Sequence, residues 1–369
     1  MKPLKIEFQR NLLSTMELED RLAQAFQVAD RAIDEGAAPG GVLAVGNQNQ
    51  VVFHAKGVTT DLDGGSPVDR ETLYDLASLT KLFTSYMALR LLEKGAYRLD
   101  DPVSRFLPLY MRPDKSEIRM RHLLTHTSGL KPHDEFFQIC HNPQEMLEAI
   151  VESPMQSLPG EQVAYSCLGY ISWAQALEQI AGQSLPDYLK EYLFQPLELV
   201  ESGFTPHFPK KRVAPTEQSD WDNQLCWGVV HDENARCQGG ISGNAGMFSN
   251  AKELARFAQL WLGQGDYKGC HLLSPATVQL SIQNYTNRIS SEYRGLGWNL
   301  KAPALSFMGD YAAETSFGHT GFTGTSLVMN PELGIFVVWL TNRVHPTRKE
   351  ERILRYRALV HNAIFAALS

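Results

Sequence analysis

The sequence Ile335-Phe336-Val337-Val338-Trp339-Leu340 is apolar at every position. An unbroken apolar run of this kind is expected for a β-strand that is covered on both faces. The strand is predicted over Gly334–Leu340. The β-like run Thr323–Met329 comes before it, and the four residues between the two strands, Asn-Pro-Glu-Leu, are typical of a turn. A further short strand is predicted at Gly297–Leu300, so strand character is concentrated in this late part of the chain.

A second group of strand signals lies near the other end of the chain. Gly41–Val45 and Val51–Ala55 are β-like, and the Asn-Gln-Asn sequence between them suits a hairpin turn. A helix is predicted before them, because apolar residues recur at helical spacing over Leu18–Ile33 and Gly36 follows as a stop. Another helix, from about Lys349 to Leu368, is predicted to close the chain.

Between these ends, from about Leu76 to Tyr285, the signals are mostly helical and are interrupted by loops that contain Pro and Gly. This order predicts an α/β fold of the α+β type. One antiparallel sheet is built from both chain ends and flanked by terminal helices, and a mainly helical lobe is inserted. We expect one catalytic domain over residues 1–369, with a sheet region at about 17–75 and 290–369 and the lobe at about 76–289. A site is expected where the lobe meets the sheet.

Charge and composition exclude several classes of protein. The 369 residues include 34 Lys or Arg and 41 Asp or Glu, and the net charge of −7 excludes a generally basic nucleic-acid-binding protein. No apolar run approaches the roughly 18–20 residues of a membrane span. Residues 1–20 lack the apolar stretch and the cleavage site of a leader. The five cysteines form no Cys-x-x-Cys motif, and this pattern predicts free thiols. A cytoplasmic protein is expected, or a periplasmic or secreted one if a leader has been removed.

The segment Asp75-Leu76-Ala77-Ser78-Leu79-Thr80-Lys81 contains the strongest catalytic signal. Ser78 falls at the start of an apolar predicted helix and Lys81 lies one turn further, so the two side chains share a helix face. The helix N-terminus carries partial positive charge, which favours a developing alkoxide, and a buried Lys can lose its proton because desolvation disfavours the ammonium. These are the requirements of a serine nucleophile that works without histidine.

Spacing alone leaves a second interpretation open, in which Ser78 caps the helix and Lys81 is a solvated charge. The Ser-x-x-Lys pattern occurs three times, starting at Ser78, Ser128 and Ser249. Ser249 is predicted to be the N-cap of a surface helix, and Ser128 is predicted to lie in a loop beside Gly129. Ser78 is therefore the strongest of the three candidates.

The same segment resembles the nucleophile motif of the serine β-lactamase and penicillin-binding-protein superfamily, particularly its class C-like branch. That branch contains β-lactamases, D-Ala-D-Ala carboxypeptidases, D-aminopeptidases and carboxylesterases. Other segments match the family in the same order: Arg121–Leu130, Tyr165–Tyr170 (its Tyr-x-Asn element), Val230–Ala235, Gly239–Ser249, and Gly318–Gly321 (its Lys-Thr-Gly strand, here His-Thr-Gly). The resemblance spans about Gly40 to Pro346, and several ordered motifs are far more specific than one. The family fold, an α/β sheet with a helical insert, agrees with the order of strands and helices described above.

The resemblance implies a role for each matched residue. Ser78 would attack a carbonyl and form an acyl-enzyme, and Lys81 would accept or relay its proton. Tyr165 would be the partner base and the acid that protonates the leaving group; a half-buried aromatic that anchors a turn is the alternative for it. Because a free Tyr has a pKa near ~10, its phenolate requires nearby cations, and Lys81 could be one. The backbone N–H groups of Ser78 and Phe322 would form the oxyanion hole.

The substrate-binding positions follow the same motifs, with two departures from the family pattern. Cys167 stands where Asn is common, and since a thiol is a weak donor and no activating partner is evident, a packing role is expected. His319 stands where Lys would be, ahead of Thr320 and Gly321. If His319 acts as a cation, activity toward anionic substrates should fall as pH rises through its pKa; a satisfied strand histidine is the alternative. Arg343 is expected either to meet a substrate carboxylate or to form a surface ion pair.

Other motifs carry weaker signals. His122 and His126 are spaced like a helical zinc pair, but the Glu of His-Glu-x-x-His is missing, so no metal site is expected. The glycines within 239–246 lack the Lys-Ser/Thr of a phosphate loop and are expected to allow close packing. Asp232 and Glu233 are expected to lie in a solvated loop or make local hydrogen bonds. No Gly-x-Ser-x-Gly motif occurs, which argues against an α/β-hydrolase.

The sequence therefore predicts a serine acyl hydrolase that uses no metal or organic cofactor. It would act on a small ester or amide, peptidoglycan-derived ones included, as D-Ala-D-Ala carboxypeptidase-like or carboxylesterase-like enzymes do. A true class C β-lactamase is an alternative that Cys167 and His319 disfavour. A non-catalytic protein that binds penicillin or a cell-wall fragment is another, and it would have no need of Ser78, Lys81 and Tyr165 together. No nucleic-acid partner is expected, and the oligomeric state stays open.

Overall fold

The computed structural model describes residues 14–205, 208–303 and 306–369. The segment 1–13, which enters the expectation about a leader, lies outside the described residues. Among the described residues, no helix has both the length and the apolar character required to cross a membrane. The α-helices are α1 (Thr15–Asp34), α2 (Thr80–Glu93), α3 (Met120–Leu124), α4 (Pro143–Glu152), α5 (Cys167–Ala181), α6 (Leu185–Leu189), α7 (Glu233–Cys237), α8 (Ala251–Leu262), α9 (Pro275–Ser281) and α10 (Arg352–Leu368).

The strands form one large sheet and two small ones. The large sheet has six strands in the order β2-β1-β11-β10-β9-β8, and every neighbouring pair is antiparallel. Strands β3, β5 and β4 form a second sheet, and β6 and β7 form a third. The bounds are β1 (Gly40–Gly46), β2 (Val51–Gly57), β3 (Tyr74–Asp75), β4 (Gly203–Phe204), β5 (Met247–Ser249), β6 (Asp266–Tyr267), β7 (Cys270–His271), β8 (Asn299–Leu300), β9 (Phe317–Thr320), β10 (Ser326–Asn330) and β11 (Ile335–Thr341).

The apolar strand β11 lies inside the large sheet, between β1 and β10. Its alternate side chains pack into two different clusters. Phe336, Val338 and Leu340 join the core shared with α8 and the helical lobe, whereas Val337 and Trp339 join the core under the terminal helices α1 and α10. Both faces of β11 are therefore covered, which confirms the prediction made from its unbroken apolar sequence. The prediction of an antiparallel sheet built from both chain ends is confirmed as well.

The predicted strand Thr323–Met329 begins three residues later than expected, at Ser326. The Thr323 hydroxyl donates to the carbonyl of Asp75 at 2.7 Å, and the Thr325 hydroxyl donates to the carbonyl of Leu76 at 3.0 Å. Gly324 between them has φ +119°, a conformation that L side chains rarely adopt. These residues form a turn that is tied to the segment carrying Ser78. We call residues 321–325 the oxyanion turn, after the role that the family resemblance implies for the Phe322 N–H.

The predicted N-cap at Ser249 is wrong. Ser249 ends strand β5 and is fully buried, where its hydroxyl lies 2.7 Å from that of Ser202. Asn250 caps α8 instead, because its side chain accepts from the backbone N–H of Glu253 at 2.9 Å. Asn is as good an N-cap as Ser, and the strand pairing of Ser249 with Tyr74 decides between the two neighbours.

Candidate active site

A strained turn precedes Ser78 and leaves the Ser78 side chain partly exposed. Ala77 has φ +46°, in the left-handed region that costs an L residue free energy. The buried Asp75 carboxylate holds this turn: it accepts from the N–H of Ala77 at 2.8 Å and from that of His231 at 2.7 Å. Ser78 is half-buried although Ala77 and Leu79 on either side are buried. It also lies in the first turn of a 3-10 helix, Ala77–Leu79, where N–H groups lack intrahelical acceptors.

The Lys81 ammonium is fully buried and points at Ser78. Its Nζ donates to Ser78 Oγ at 3.0 Å, to the carbonyl of Asn244 at 3.2 Å and to Cys167 Sγ at 3.6 Å. The three acceptors come from three separate parts of the chain. The interpretation of Lys81 as a solvated charge is therefore wrong, because the lobe closes over the first turn of α2.

The other two Ser-x-x-Lys patterns form no such pair. Lys131 Nζ donates to Asp134 at 2.7 Å, and the Ser128 hydroxyl instead accepts from the N–H of Leu130 at 3.3 Å. Lys252 Nζ donates to Glu71 at 3.3 Å, near the surface. Among the described residues, the first pattern alone joins its hydroxyl to its amine.

Tyr165 lies directly beside this pair. Lys81 Nζ lies 4.8 Å from its ring centroid, and both Lys81 and Ser78 are near enough to its hydroxyl to act on the pKa of Tyr165. Burial raises the pKa of Tyr165, and the Lys81 charge partly offsets that rise. Burial acts to lower the pKa of Lys81, but the Cys167 and Tyr165 side chains, which can carry negative charge, raise it overall. The arrangement therefore favours an ammonium beside a neutral phenol at rest, so the pair must lose one proton before it can accept that of Ser78.

Cys167 has a neighbour that the sequence did not reveal. It is the first residue of α5, and its Sγ lies 3.6 Å from the Lys81 ammonium. The sequence showed no partner for this thiol, and the structure places Lys81 beside it, 86 positions away in the chain. Cys167 thus touches the catalytic candidates directly.

His319 is a buried, neutral histidine. It is 2% exposed on β9, and its Nδ1 lies 2.8 Å from the carbonyl of Thr320, which can only accept a hydrogen bond. The proton is therefore on Nδ1, and Nε2 is a bare acceptor without a partner among the described residues. Burial, with the Lys81 charge, lowers the pKa of His319 to about 3. The burial of His319 and the nearby Lys81 charge contradict the hypothesis that His319 acts as a cation near neutral pH.

We expect the preference for anionic over neutral substrates to be independent of pH between pH 5 and 8. A base whose pKa is lowered to about 3 is already neutral throughout this range, so His319 changes no charge there. The measurement is the ratio of kcat/KM for a carboxylate-bearing and a neutral nitrophenyl ester. A ratio that falls through pH 6–7 in the wild type, but not in His319→Gln, would show a cationic histidine.

The oxyanion turn brings Phe322 next to the Ser78 segment. Gly321 lies so close to the Leu76 carbonyl and the Thr325 hydroxyl that a Cβ atom would overlap both. The backbone N–H of Phe322 donates to no residue in the described part of the chain, whereas that of Gly321 donates to the Thr325 carbonyl at 2.7 Å. The turn therefore leaves the Phe322 N–H without an acceptor among the described residues, in a turn that is tied to Asp75 and Leu76 just before Ser78.

Arg343 supports this turn and is neither a surface residue nor a free cation. It is 4% exposed, and its Nε donates to the Phe322 carbonyl at 2.8 Å while Nη1 donates to the Glu350 carbonyl at 2.6 Å. Its guanidinium also lies 4.5 Å from the Phe322 ring centroid. The predicted surface ion pair is wrong, and a contact with a substrate carboxylate would be left to Nη2, because Nε and Nη1 already donate to backbone carbonyls.

Several residues near the site were assigned no role from the sequence. His126 lies beyond α3 with φ +57°, so it does not share a helical face with His122; its ring packs 4.5 Å from that of Tyr165. The Asn244 carbonyl accepts from Lys81, and Gly243 lies too close to Tyr170 for any side chain. The Gly243 contact agrees with the expectation of close packing. Among the described residues, no group of three His, Cys, Asp or Glu is arranged to hold a metal ion.

Residues 25–362 match the family model described as Beta-lactamase, and the chain belongs to this family. The predicted family is thereby confirmed, and with it the expected class of serine hydrolase. The chain is 30% identical to a putative D-alanyl-D-alanine carboxypeptidase of Escherichia coli O157:H7, over 88% of this chain and 83% of the relative.

Two solved structures support the fold. EstCE1, a hydrolase with promiscuous acyltransferase activity, superposes with a TM-score of 0.77 at 24% identity and covers 94% of this chain and 99% of its own. A penicillin-binding protein homologue from Caulobacter crescentus superposes with a TM-score of 0.75 at 17% identity, over 94% and 98% of the two chains. At these identities the structures confirm the predicted architecture alone.

Proposed function

We propose that Ser78 is the nucleophile of an acyl hydrolase and that Lys81 and Tyr165 transfer its proton. The observation that carries the proposal is the fully buried Lys81 ammonium 3.0 Å from Ser78 Oγ, with the Tyr165 ring centroid 4.8 Å from the same ammonium. An ordinary helix cap has no need of a buried cation, because burying a charge costs free energy unless it is compensated.

In the proposed acylation step, the reactive form is the one in which the Tyr165–Lys81 pair has lost one proton to solvent, and Ser78 Oγ attacks the substrate carbonyl carbon as its proton passes to the Tyr165 phenolate. Lys81 favours the transfer because its positive charge stabilises the phenolate form of Tyr165. The N–H groups of Ser78 and Phe322 would hold the negative oxygen, a contribution that is typically worth ~10²–10³ in rate for one donor. Tyr165 then returns the proton to the leaving group, and the C–O or C–N bond breaks.

In the proposed deacylation step, water takes the place of the leaving group. Its oxygen attacks the acyl carbon, its proton passes to the same pair, and Ser78 recovers a proton as the acid departs. Since one set of groups serves both halves of the reaction, loss of Lys81 or Tyr165 should slow both.

The substrate proposed is a small ester or amide, of the kind handled by carboxypeptidase-like and esterase-like members of the family. A relative named as a putative D-alanyl-D-alanine carboxypeptidase supports a peptide substrate from peptidoglycan. The neutral His319 provides no charge for a substrate carboxylate. This supports neutral esters and amides over both a carboxylate-terminated peptide and a β-lactam, so the two lines of support differ and the labelling experiment decides between them.

The experiment that separates these possibilities is labelling with a tagged penicillin and, in parallel, with a fluorophosphonate, followed by trypsin and mass spectrometry. Ser78 is the one serine in the tryptic segment 71–81, so the modified peptide identifies it. We expect fluorophosphonate on this peptide. A lasting penicillin adduct there would favour a penicillin-binding enzyme, and rapid release of opened penicillin a β-lactamase. Fluorophosphonate on another peptide, or on none, would contradict the proposal.

A further inference from the structure

The C-terminal helix α10 buries a cation behind the oxyanion turn. Arg357 is 3% exposed, and its Nη2 donates to the carbonyls of Gly321 at 3.0 Å and of Thr325 at 3.1 Å. Within the described ranges, no carboxylate lies at ion-pair distance from it. Burial, with the nearby Arg343, lowers the pKa of Arg357 to about 9, so the guanidinium is still charged at neutral pH. A buried cation without a counter-ion is costly and calls for an explanation.

Hydrogen bonding within the turn does not provide that explanation. The Gly321 carbonyl already accepts from the N–H of Gly324 at 3.1 Å, and the Thr325 carbonyl accepts from the N–H of Gly321 at 2.7 Å. Both carbonyls would therefore keep a donor if Arg357 were absent. What Arg357 adds to the turn is positive charge.

We propose that Arg357 is a positioning residue that strengthens the Phe322 N–H as an oxyanion-hole donor. The Gly321 carbonyl and the Phe322 N–H belong to one peptide group, whose electrons are delocalised over both. A cation on the carbonyl oxygen draws electrons from the nitrogen, so the N–H becomes a stronger donor, as in any polarised chain of hydrogen bonds. The inference rests on the proposed role of Phe322 in the oxyanion hole.

Arg343 acts on the following peptide group in the same way. Its Nε donates to the Phe322 carbonyl at 2.8 Å, so guanidinium groups from two parts of the chain bind the carbonyls on either side of the Phe322 N–H. They restrict the orientation of that N–H before any substrate is bound, and such preorganisation lowers the cost of stabilising charge in the transition state. The two guanidinium groups also bring positive charge close to the site, where the neutral His319 contributes none.

The test compares Arg357→Met and Arg357→Lys with the wild type on 4-nitrophenyl acetate and on phenylboronic acid, which forms a tetrahedral adduct with a reactive serine. For Arg357→Met we expect kcat to fall about 10- to 100-fold with KM changed less than about 3-fold, as for a weakened oxyanion donor. Boronate affinity should fall by a similar factor. Arg357→Lys retains the charge and should recover part of both losses.

The matched control is His361→Leu, which removes another fully buried polar side chain from α10 that hydrogen-bonds the Phe307 carbonyl rather than the oxyanion turn. It should lower the melting temperature without changing the ratio of boronate affinity to KM. If Arg357→Met lowers only the melting temperature, or raises KM while kcat and boronate affinity stay unchanged, the inference is wrong. A wild-type protein whose hydrolysis does not depend on Ser78 would instead overturn the proposed function itself.

Discussion

The Ser78→Ala variant should lose hydrolysis of 4-nitrophenyl acetate by at least about 10⁴-fold in kcat/KM, the scale on which serine enzymes respond to loss of their nucleophile. The side chain is half-buried and small, so the change should leave the melting temperature nearly unaltered. The physical reason for the loss is that no other described hydroxyl has a lysine amine within hydrogen-bond distance in a Ser-x-x-Lys pattern.

Ser128→Ala is the matched control for this variant. Ser128 has the same spacing to a lysine, but its hydroxyl accepts from the N–H of Leu130 and Lys131 is paired with Asp134. Its activity should stay within about 2-fold of the wild type, as expected for a residue outside the reaction. Equal activity of Ser78→Ala and the wild type would remove Ser78 from the mechanism.

The Lys81→Met variant should lower kcat/KM by about 10²–10⁴-fold, the usual contribution of proton transfer by a positioned group. Met fills a similar volume, and replacing a buried charge by an apolar side chain need not destabilise the fold. Without the ammonium, the already raised pKa of Tyr165 should rise further, because Lys81 is the charge that lowers it. The residual activity of the variant should therefore need a higher pH than that of the wild type.

Activity between pH 5 and 11, measured for Lys81→Met and for Lys252→Met, checks this prediction. Lys252 Nζ is bound to Glu71 near the surface, so its loss should leave the profile unchanged. A Lys81→Met profile that keeps the wild-type midpoint, with only its height reduced, would show that Lys81 does not tune Tyr165. Unreduced activity would contradict a role for Lys81 in proton transfer.

Sequence patterns were sufficient wherever the physical cause is local. The unbroken apolar run of β11 requires cover on both faces, and the helices predicted at Leu18–Ile33 and from about Lys349 to Leu368 lie within three residues of the observed bounds of α1 and α10. Ser78 and Lys81 lie three residues apart on one helical turn, so their contact at 3.0 Å also follows from local geometry. The ordered motifs then predicted Tyr165 as their partner.

Side-chain charge and partners could not be read in the same way. The sequence around His319 is the same whether the side chain is a cation or a neutral acceptor. Its burial and the Lys81 charge make it neutral. Arg343 follows a strand, as a surface residue would, but the oxyanion turn covers it. Arg357 carries no motif at all.

The sequence by itself thus determined the architecture, the family and the identity of the reactive serine candidate, because these depend on spacing and on which residues are apolar. The tertiary structure decided which Ser-x-x-Lys pair is a true pair, the neutral state of His319 and the two guanidinium groups on the oxyanion turn. Desolvation and the hydrogen bonds that compensate it depend on contacts such as Lys81 with Asn244, which are 163 positions apart in the chain. No local pattern encodes such distances.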